Sequence, residues 1–172
     1  MLEVEVKARI IREVVEQKLL AIGAWLVKKE RQIDTYFNHP CRDFKARDEA
    51  LRVREIKGQM YLTYKGPKID PETKTRTEVE IKVGKEIFAL LESLGFTPLQ
   101  RVTKERKLYH WQGLKICVDE VEKLGSFLEI EGRDKGEKER IFQLLDRLGI
   151  HRSSLIRKSY LEIIREKENP SA

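Results

Sequence analysis

Charged residues recur at i and i+2 in short runs along this chain, with apolar residues filling the positions between them. In an extended strand successive side chains point to opposite faces, so such a run splits into one charged and one apolar face. Glu3, Glu5 and Lys7 oppose Leu2, Val4, Val6 and Ala8, and Arg52 and Arg54 oppose Leu51 and Val53. Arg76, Glu78 and Glu80 oppose Val79 and Ile81; Asp119 opposes Val118; Glu129 and Glu131 oppose Leu128 and Ile130. Lys65 and Arg106 extend the set. One strand of this kind reads as the wet outer face of an ordinary antiparallel sheet. Six or more read differently, because a solvated face normally mixes Thr, Ser, Gln and Lys.

The candidate strands are 2–8, 32–37, 50–56, 60–65, 75–83, 101–111, 114–121, 126–132 and 157–164. Gln112-Gly113 suits a tight hairpin turn, and the Gly66–Pro71 stretch a loop. Helical spacing appears over 9–22, 84–94 and 135–148, and each stretch ends at or next to a glycine: Gly23, Gly95 or Gly149. Glu-Val-Glu-Val-Lys at 3–7 returns as Glu-Val-Glu-Ile-Lys at 78–82, and Leu-Glu-Ile-Glu stands at 128–131. Each of these strands leads into one of the helices. If the sheet curls with helices outside, the apolar faces turn outward to meet them and the charged faces line the interior. The expected class is therefore α+β, one domain over 1–165 with a polar tail over 166–172.

An interior of carboxylates and guanidinium groups costs several kcal/mol per unpaired ion and needs partners. A polyanion carrying a divalent cation suits both signs. Arg and Lys hold phosphate oxygens, and carboxylates hold Mg²⁺ or Mn²⁺. The 35 Lys and Arg exceed the 29 Asp and Glu by only six, and a nucleic-acid backbone calls for no carboxylate cluster. A polyphosphate or RNA binder without catalysis is the alternative of another class. Cys41 and Cys117 lack metal or redox spacing, which points to a reducing cytoplasm. The chain opens directly on strand alternation, leaving no room for a leader, and no apolar run is long enough to span a membrane. His39, His110 and His151 lack ligand spacing. Trp25 and Trp111 are expected to pack internally, and Lys104 and Lys107 to sit outward or at a rim.

Taken together, the N-terminal Glu3-x-Glu5-x-Lys7, Arg52-x-Arg54, Lys65, Arg76-x-Glu78-x-Glu80, Arg106, Asp119, Glu129-x-Glu131 and Lys158 before Ser159-Tyr160 resemble the CYTH superfamily of triphosphate tunnel metalloenzymes. Asp34–Phe37, Ala50–Glu55 and Lys104–Glu131 look most like its class IV adenylate cyclase branch. The resemblance implies a closed, antiparallel, eight-stranded β-barrel with helices packed outside and a triphosphate bound in the lumen. It implies phosphate contacts from Lys7, Arg52, Arg54, Lys65, Arg76, Arg106 and Lys158. It places the metal, Mg²⁺ or Mn²⁺, among Glu3, Glu5, Glu78, Glu80, Asp119, Glu129 and Glu131. The substrate would be ATP, converted to cyclic AMP and pyrophosphate. Otherwise it would be thiamine triphosphate, a nucleoside triphosphate or tripolyphosphate, hydrolysed by a triphosphatase. A homodimer stays open.

Overall fold

The computed structural model describes residues 2–132 and 136–168, the side chains of Leu2 and Glu3 excepted. Eight strands and four α-helices appear among them, in the order β1 (Leu2–Arg9), α1 (Arg12–Ala21), β2 (Trp25–Asn38), β3 (Ala50–Ile56), β4 (Gln59–Lys65), β5 (Arg76–Val83), α2 (Ile87–Ser93), β6 (Thr97–Trp111), β7 (Leu114–Val121), β8 (Gly125–Gly132), α3 (Glu137–Leu148) and α4 (Tyr160–Glu168). The antiparallel ladder runs β5-β4-β3-β2-β6-β7-β8-β1. It curls until β1 meets β5 at two register pairs, Leu2–Thr77 and Glu3–Arg76. Strand number, direction and curl are as expected, but the sheet is a half-barrel rather than a tube paired along its length. Beyond Glu3 the edge of β1 away from β8 is taken by other segments: Lys74 N–H donates to the Glu5 carbonyl, Ile156 N–H to the Lys7 carbonyl, and Ala8 bridges Leu155.

The apolar faces turn outward, as the alternation predicts. Val4, Val6, Ile116, Val118, Leu128 and Ile130 pack under α1 and α3, which contribute Val15 and Leu19, and Ile141, Leu144, Leu145 and Leu148. Each such fully buried Leu or Ile is worth roughly 1.5–3 kcal/mol. Helix α3 stops as predicted at Gly149, whose φ of 74° places it in the left-handed region. There Gly149 and Ile150 donate backbone hydrogen bonds to Asp146 and Leu145. On the other side α2 buries Ile87 and Leu91 against Phe37, Leu51 and Val53. The outer face of β5 is only partly covered: Val83 packs with the α2 cluster, while Val79 and Ile81 remain about half exposed. Gln112 and Gly113 both take positive φ, the geometry of the tight turn expected there.

Two expectations are corrected. Residues 157–164 form no strand; Tyr160 begins α4. Ser159 and Glu162 build a capping box, with the Ser159 hydroxyl accepting from the Glu162 N–H and the Glu162 carboxylate accepting from the Ser159 N–H. Tyr160 and Ile164, one turn apart, then pack with Tyr36, Val102, Val121, Leu124 and Phe127, so α4 plugs one end of the curled sheet. It also takes residues 166–168 from the expected tail, while 169–172 lie outside the described residues, as does the start of the helix expected from 135. The second correction is β2, which begins at Trp25 and not at 32. Trp-Leu-Val followed by Lys-Lys-Glu-Arg hides any alternation, but those residues pair with β6 back to His110.

Candidate active site

The concave face of the sheet carries the charges and encloses a cavity of about 640 Å³. Its walls follow from the strand register, since directly paired residues of an antiparallel ladder share a face at close range. Arg106 on β6 pairs with Asp119 on β7, and Glu129 on β8 faces both Cys117 on β7 and Lys7 on β1. Asp34 on β2 faces Arg54 on β3, Arg52 faces Thr63 on β4, and Thr63 faces Glu80 on β5.

These pairings become two charge networks. In the first, Arg106 donates two parallel hydrogen bonds to Asp119, at 2.7 and 2.6 Å, and a further one to Glu129. Lys104 reaches the same Asp119 at 3.1 Å and the Tyr160 hydroxyl reaches it at 2.9 Å. Lys7 pairs with Glu129 at 3.1 Å and lies 3.8 Å from the centre of the Tyr160 ring. In the second, Arg54 donates to both oxygens of Asp34, at 2.6 and 2.7 Å, and Arg52 reaches Asp34 at 3.5 Å. The Thr63 hydroxyl donates to Glu80 at 2.9 Å. Lys65 pairs with Glu78 at 2.7 Å, Lys74 with Glu5 at 2.5 Å, and Lys115 with Glu131 at 2.5 Å.

Low dielectric makes these charges act strongly on one another. Burial, reinforced by the Lys74 ammonium, lowers the Lys7 pKa to about 7. Burial would raise Asp34, yet Arg54 and Arg52 outweigh it and hold the carboxyl well below its usual range. Lys7, Lys104 and Arg106 do the same for Glu129 against its burial. Burial and the nearby Asp119 push the Tyr160 phenol upward.

Of the expected phosphate ligands, Lys7, Arg52, Arg54, Lys65, Arg76 and Arg106 all line the cavity. Lys158 does not join them. Its side chain is 53% exposed and bridges Glu166 on α4, and only its backbone carbonyl meets Lys7; having become helix N-terminus, it turns outward. Of the expected metal ligands, Glu5, Glu78, Glu80, Glu129 and Glu131 line the cavity. The Glu3 side chain lies outside those described. Asp119 sits behind the wall, fully buried, and accepts from four donors, three of them on Oδ2.

Asp34, Lys74, Lys104, Lys115 and Tyr160 belong to the arrangement beyond the predicted set. Lys104 was expected at a rim, but it is 2% exposed and faces inward. It lies two residues before Arg106, so the same alternation that placed Arg106 also places Lys104. Lys107, of opposite parity, goes outward as expected and pairs with Glu16 on α1. Lys74 carries no sequence signal: it arrives on the 66–75 loop, which lies along β1 through the Lys74 N–H to the Glu5 carbonyl. Trp111 packs inside as expected, its indole N–H donating to the Ile22 carbonyl at 3.0 Å. Trp25 does not; it is 56% exposed.

Hard carboxylate oxygens suit Mg²⁺ or Mn²⁺. Among the described residues no three His, Cys, Asp or Glu side chains form a ready cage. Glu5 and Glu131, however, are direct register partners on β1 and β8. A Mg²⁺ ion ordinarily uses one or two carboxylates and takes its other ligands from phosphate and water, so this pair fits an ion that enters with a phosphate chain.

Comparison with known proteins bears on this geometry. Residues 1–160 match the family model of the CYTH domain. A protein of Methanocaldococcus jannaschii provisionally named adenylate cyclase MJ0240 is 41% identical over 173 residues, spanning 95% of this chain and 98% of that one. The solved structure of PH1819 from Pyrococcus horikoshii superimposes with a TM-score of 0.86 at 40% identity, covering 96% of this chain and 99% of that one. HpAC1 of Hippeastrum, provisionally named an adenylyl cyclase and described as having a dominant triphosphatase activity, shares the fold at a TM-score of 0.69 and 17% identity, covering 96% and 95%. Among the described residues no helix is long and apolar enough to cross a membrane.

Proposed function

Because this chain belongs to the CYTH domain family, we propose that it is a cytoplasmic, metal-dependent enzyme acting on a triphosphate held inside the curled sheet. The first reading is conversion of ATP to cyclic AMP and pyrophosphate, in the manner of class IV adenylate cyclases. One observation carries it. Nine basic side chains (Lys7, Arg52, Arg54, Lys65, Lys74, Arg76, Lys104, Arg106 and Lys115) line one cavity with five carboxylates (Glu5, Glu78, Glu80, Glu129 and Glu131). With Asp34 and Asp119 behind the wall the bases still outnumber the carboxylates, and a surplus of positive charge around a cavity suits a polyanion. In this reading the 66–75 loop seals the seam between β1 and β5 and makes the lumen a tunnel.

Catalysis here is positioning and charge stabilisation, as in other phosphoryl transfers. Asp34 holds Arg54 by its fork and Asp119 holds Arg106. The guanidinium groups thus stand fixed before substrate arrives, and no reorganisation is needed as charge develops on the departing pyrophosphate. Arg52, Arg76, Lys65 and Lys104 bind the remaining oxygens. A Mg²⁺ or Mn²⁺ ion held by Glu5 and Glu131 would add neutralisation of the phosphates and lower the pKa of the attacking oxygen.

The second reading is hydrolysis of the triphosphate by water, favoured by the Hippeastrum protein, which combines a cyclase name with a dominant triphosphatase activity on this fold. Incubation of purified protein with ATP, thiamine triphosphate and tripolyphosphate, each with Mg²⁺ and Mn²⁺, decides between them. Cyclic AMP with pyrophosphate supports the first reading and released phosphate the second. Tight binding without any product identifies a polyphosphate binder.

A further inference from the structure

Strand β2 shows its parity through its pairing with β6. Lys28, Glu30 and Gln32 lie opposite Leu108, Arg106 and Lys104, so even-numbered residues of this stretch share the concave face. Continued without interruption, the alternation would place Trp25 on the outside. A β-bulge between Leu26 and Lys28 removes Val27 from the ladder and shifts the parity by one. Trp25 thereby becomes the direct partner of His110, on the same face as Arg106.

His110 lines the cavity, and its ring meets Trp25 edge-on with centroids 5.9 Å apart. Four residues of strand separate Arg106 from His110, roughly 13 Å at the usual rise. That distance suits a nucleotide whose phosphates rest at Arg106 and whose ring lies beyond its ribose. The other end of the cavity is closed by Tyr160 on α4, so an organic group attached to the phosphates projects toward His110. Trp25 is 56% exposed, and Leu26 and Val27 beside it are about half exposed. An indole kept in water at the rim of a polyanion site, and aimed there by a bulge, has a face to offer a ligand.

We propose that Trp25, braced by His110, is the specificity-determining platform on which the planar aromatic ring of an organic triphosphate stacks. This rests on the triphosphate reading and narrows it, because inorganic tripolyphosphate has no ring to place there. Stacking of a base on an aromatic side chain is worth about tenfold or more in affinity.

The test is calorimetric titration of ATP and of tripolyphosphate, each with Mg²⁺ and again with EDTA, into wild type, Trp25→Ala and Trp25→Phe. Trp25→Ala is expected to weaken ATP about tenfold while tripolyphosphate changes less than twofold, and Trp25→Phe is expected to restore most of the loss. In wild type, ATP and not tripolyphosphate should quench the exposed Trp25 emission, which needs no variant to fold. Equal effects of Trp25→Ala on both ligands, or none on either, with wild type still binding tripolyphosphate, overturns the stacking platform and leaves the triphosphate reading standing. Wild type that binds neither ligand overturns both.

Discussion

Arg106 and Asp119 are direct register partners on β6 and β7, joined by two parallel hydrogen bonds of 2.7 and 2.6 Å. Lys104 and the Tyr160 hydroxyl also donate to this carboxylate, both to Oδ2. Three of these four donors meet Oδ2 and one meets Oδ1, and we propose that Asp119 serves as an anchor for basic groups rather than as a cation ligand.

Asp119→Asn should therefore cost stability, about 3–5 kcal/mol for breaking a buried ion pair, measured by urea unfolding. The Mg²⁺ concentration for half-maximal turnover should move by less than about twofold, within the reach of a surface change. A large rise in that concentration would return Asp119 to the metal ligands.

Glu5→Gln should behave in the opposite way. Glu5 lines the cavity and faces Glu131 across β1 and β8, so loss of its charge should raise the Mg²⁺ requirement about tenfold or more, the scale of a lost charged hydrogen bond or ligand. Unchanged metal dependence would remove Glu5 from the proposed pair.

Lys104 and Lys158 exchange the importance that the sequence suggests for them. Lys104→Ala should weaken tripolyphosphate binding about 10- to 100-fold, the value of a charge-assisted hydrogen bond. Lys158, half exposed and paired with Glu166, should change it by less than about twofold on replacement by Ala. Titration calorimetry of both variants reads the contrast, and equal losses would refute it.

Asp34 provides the pH test. Its folded carboxyl lies below the usual range because Arg54 and Arg52 overcome its burial, so the native state binds fewer protons there than the unfolded chain. The stabilisation is complete above the unfolded value of about 4 and is lost as pH falls through the lower folded one. Asp34→Asn should unfold about 3 kcal/mol more easily at pH 7, with the gap closing progressively from about pH 5 downward. Urea midpoints across pH check this; a gap independent of pH would contradict it.

Ser159→Ala removes one half of the capping box that starts α4 and should cost about 1 kcal/mol. Since α4 carries Tyr160 into the cavity wall, hydrogen exchange should rise first in 160–168. Uniform loss across the sheet would show that α4 does not open on its own.

Much of the site was legible because alternation is a local property. Leu-Glu-Ile-Glu or Arg-Val-Arg assigns faces whatever the neighbours are, and glycines after apolar periodicity mark helix ends. Lys158 lies away from the cavity lining for a local reason as well: an Arg-Lys-Ser-Tyr-Leu-Glu stretch reads as strand by its apolar residues and as helix start by its Ser-x-x-Glu spacing, and the capping box prevailed.

The order of residues by itself determined that two opposed faces exist, that one gathers acids and bases, and that helices must cover the other. Only the tertiary structure decided which charges meet. Register pairs Arg106 with Asp119 and Asp34 with Arg54, a loop from outside the ladder delivers Lys74 to Glu5, and a single bulged residue sets the exposed Trp25 on the same strand face as Arg106. The physical reason is that a strand's period fixes direction within a few residues, whereas partnership depends on hydrogen bonds made to segments far away in sequence.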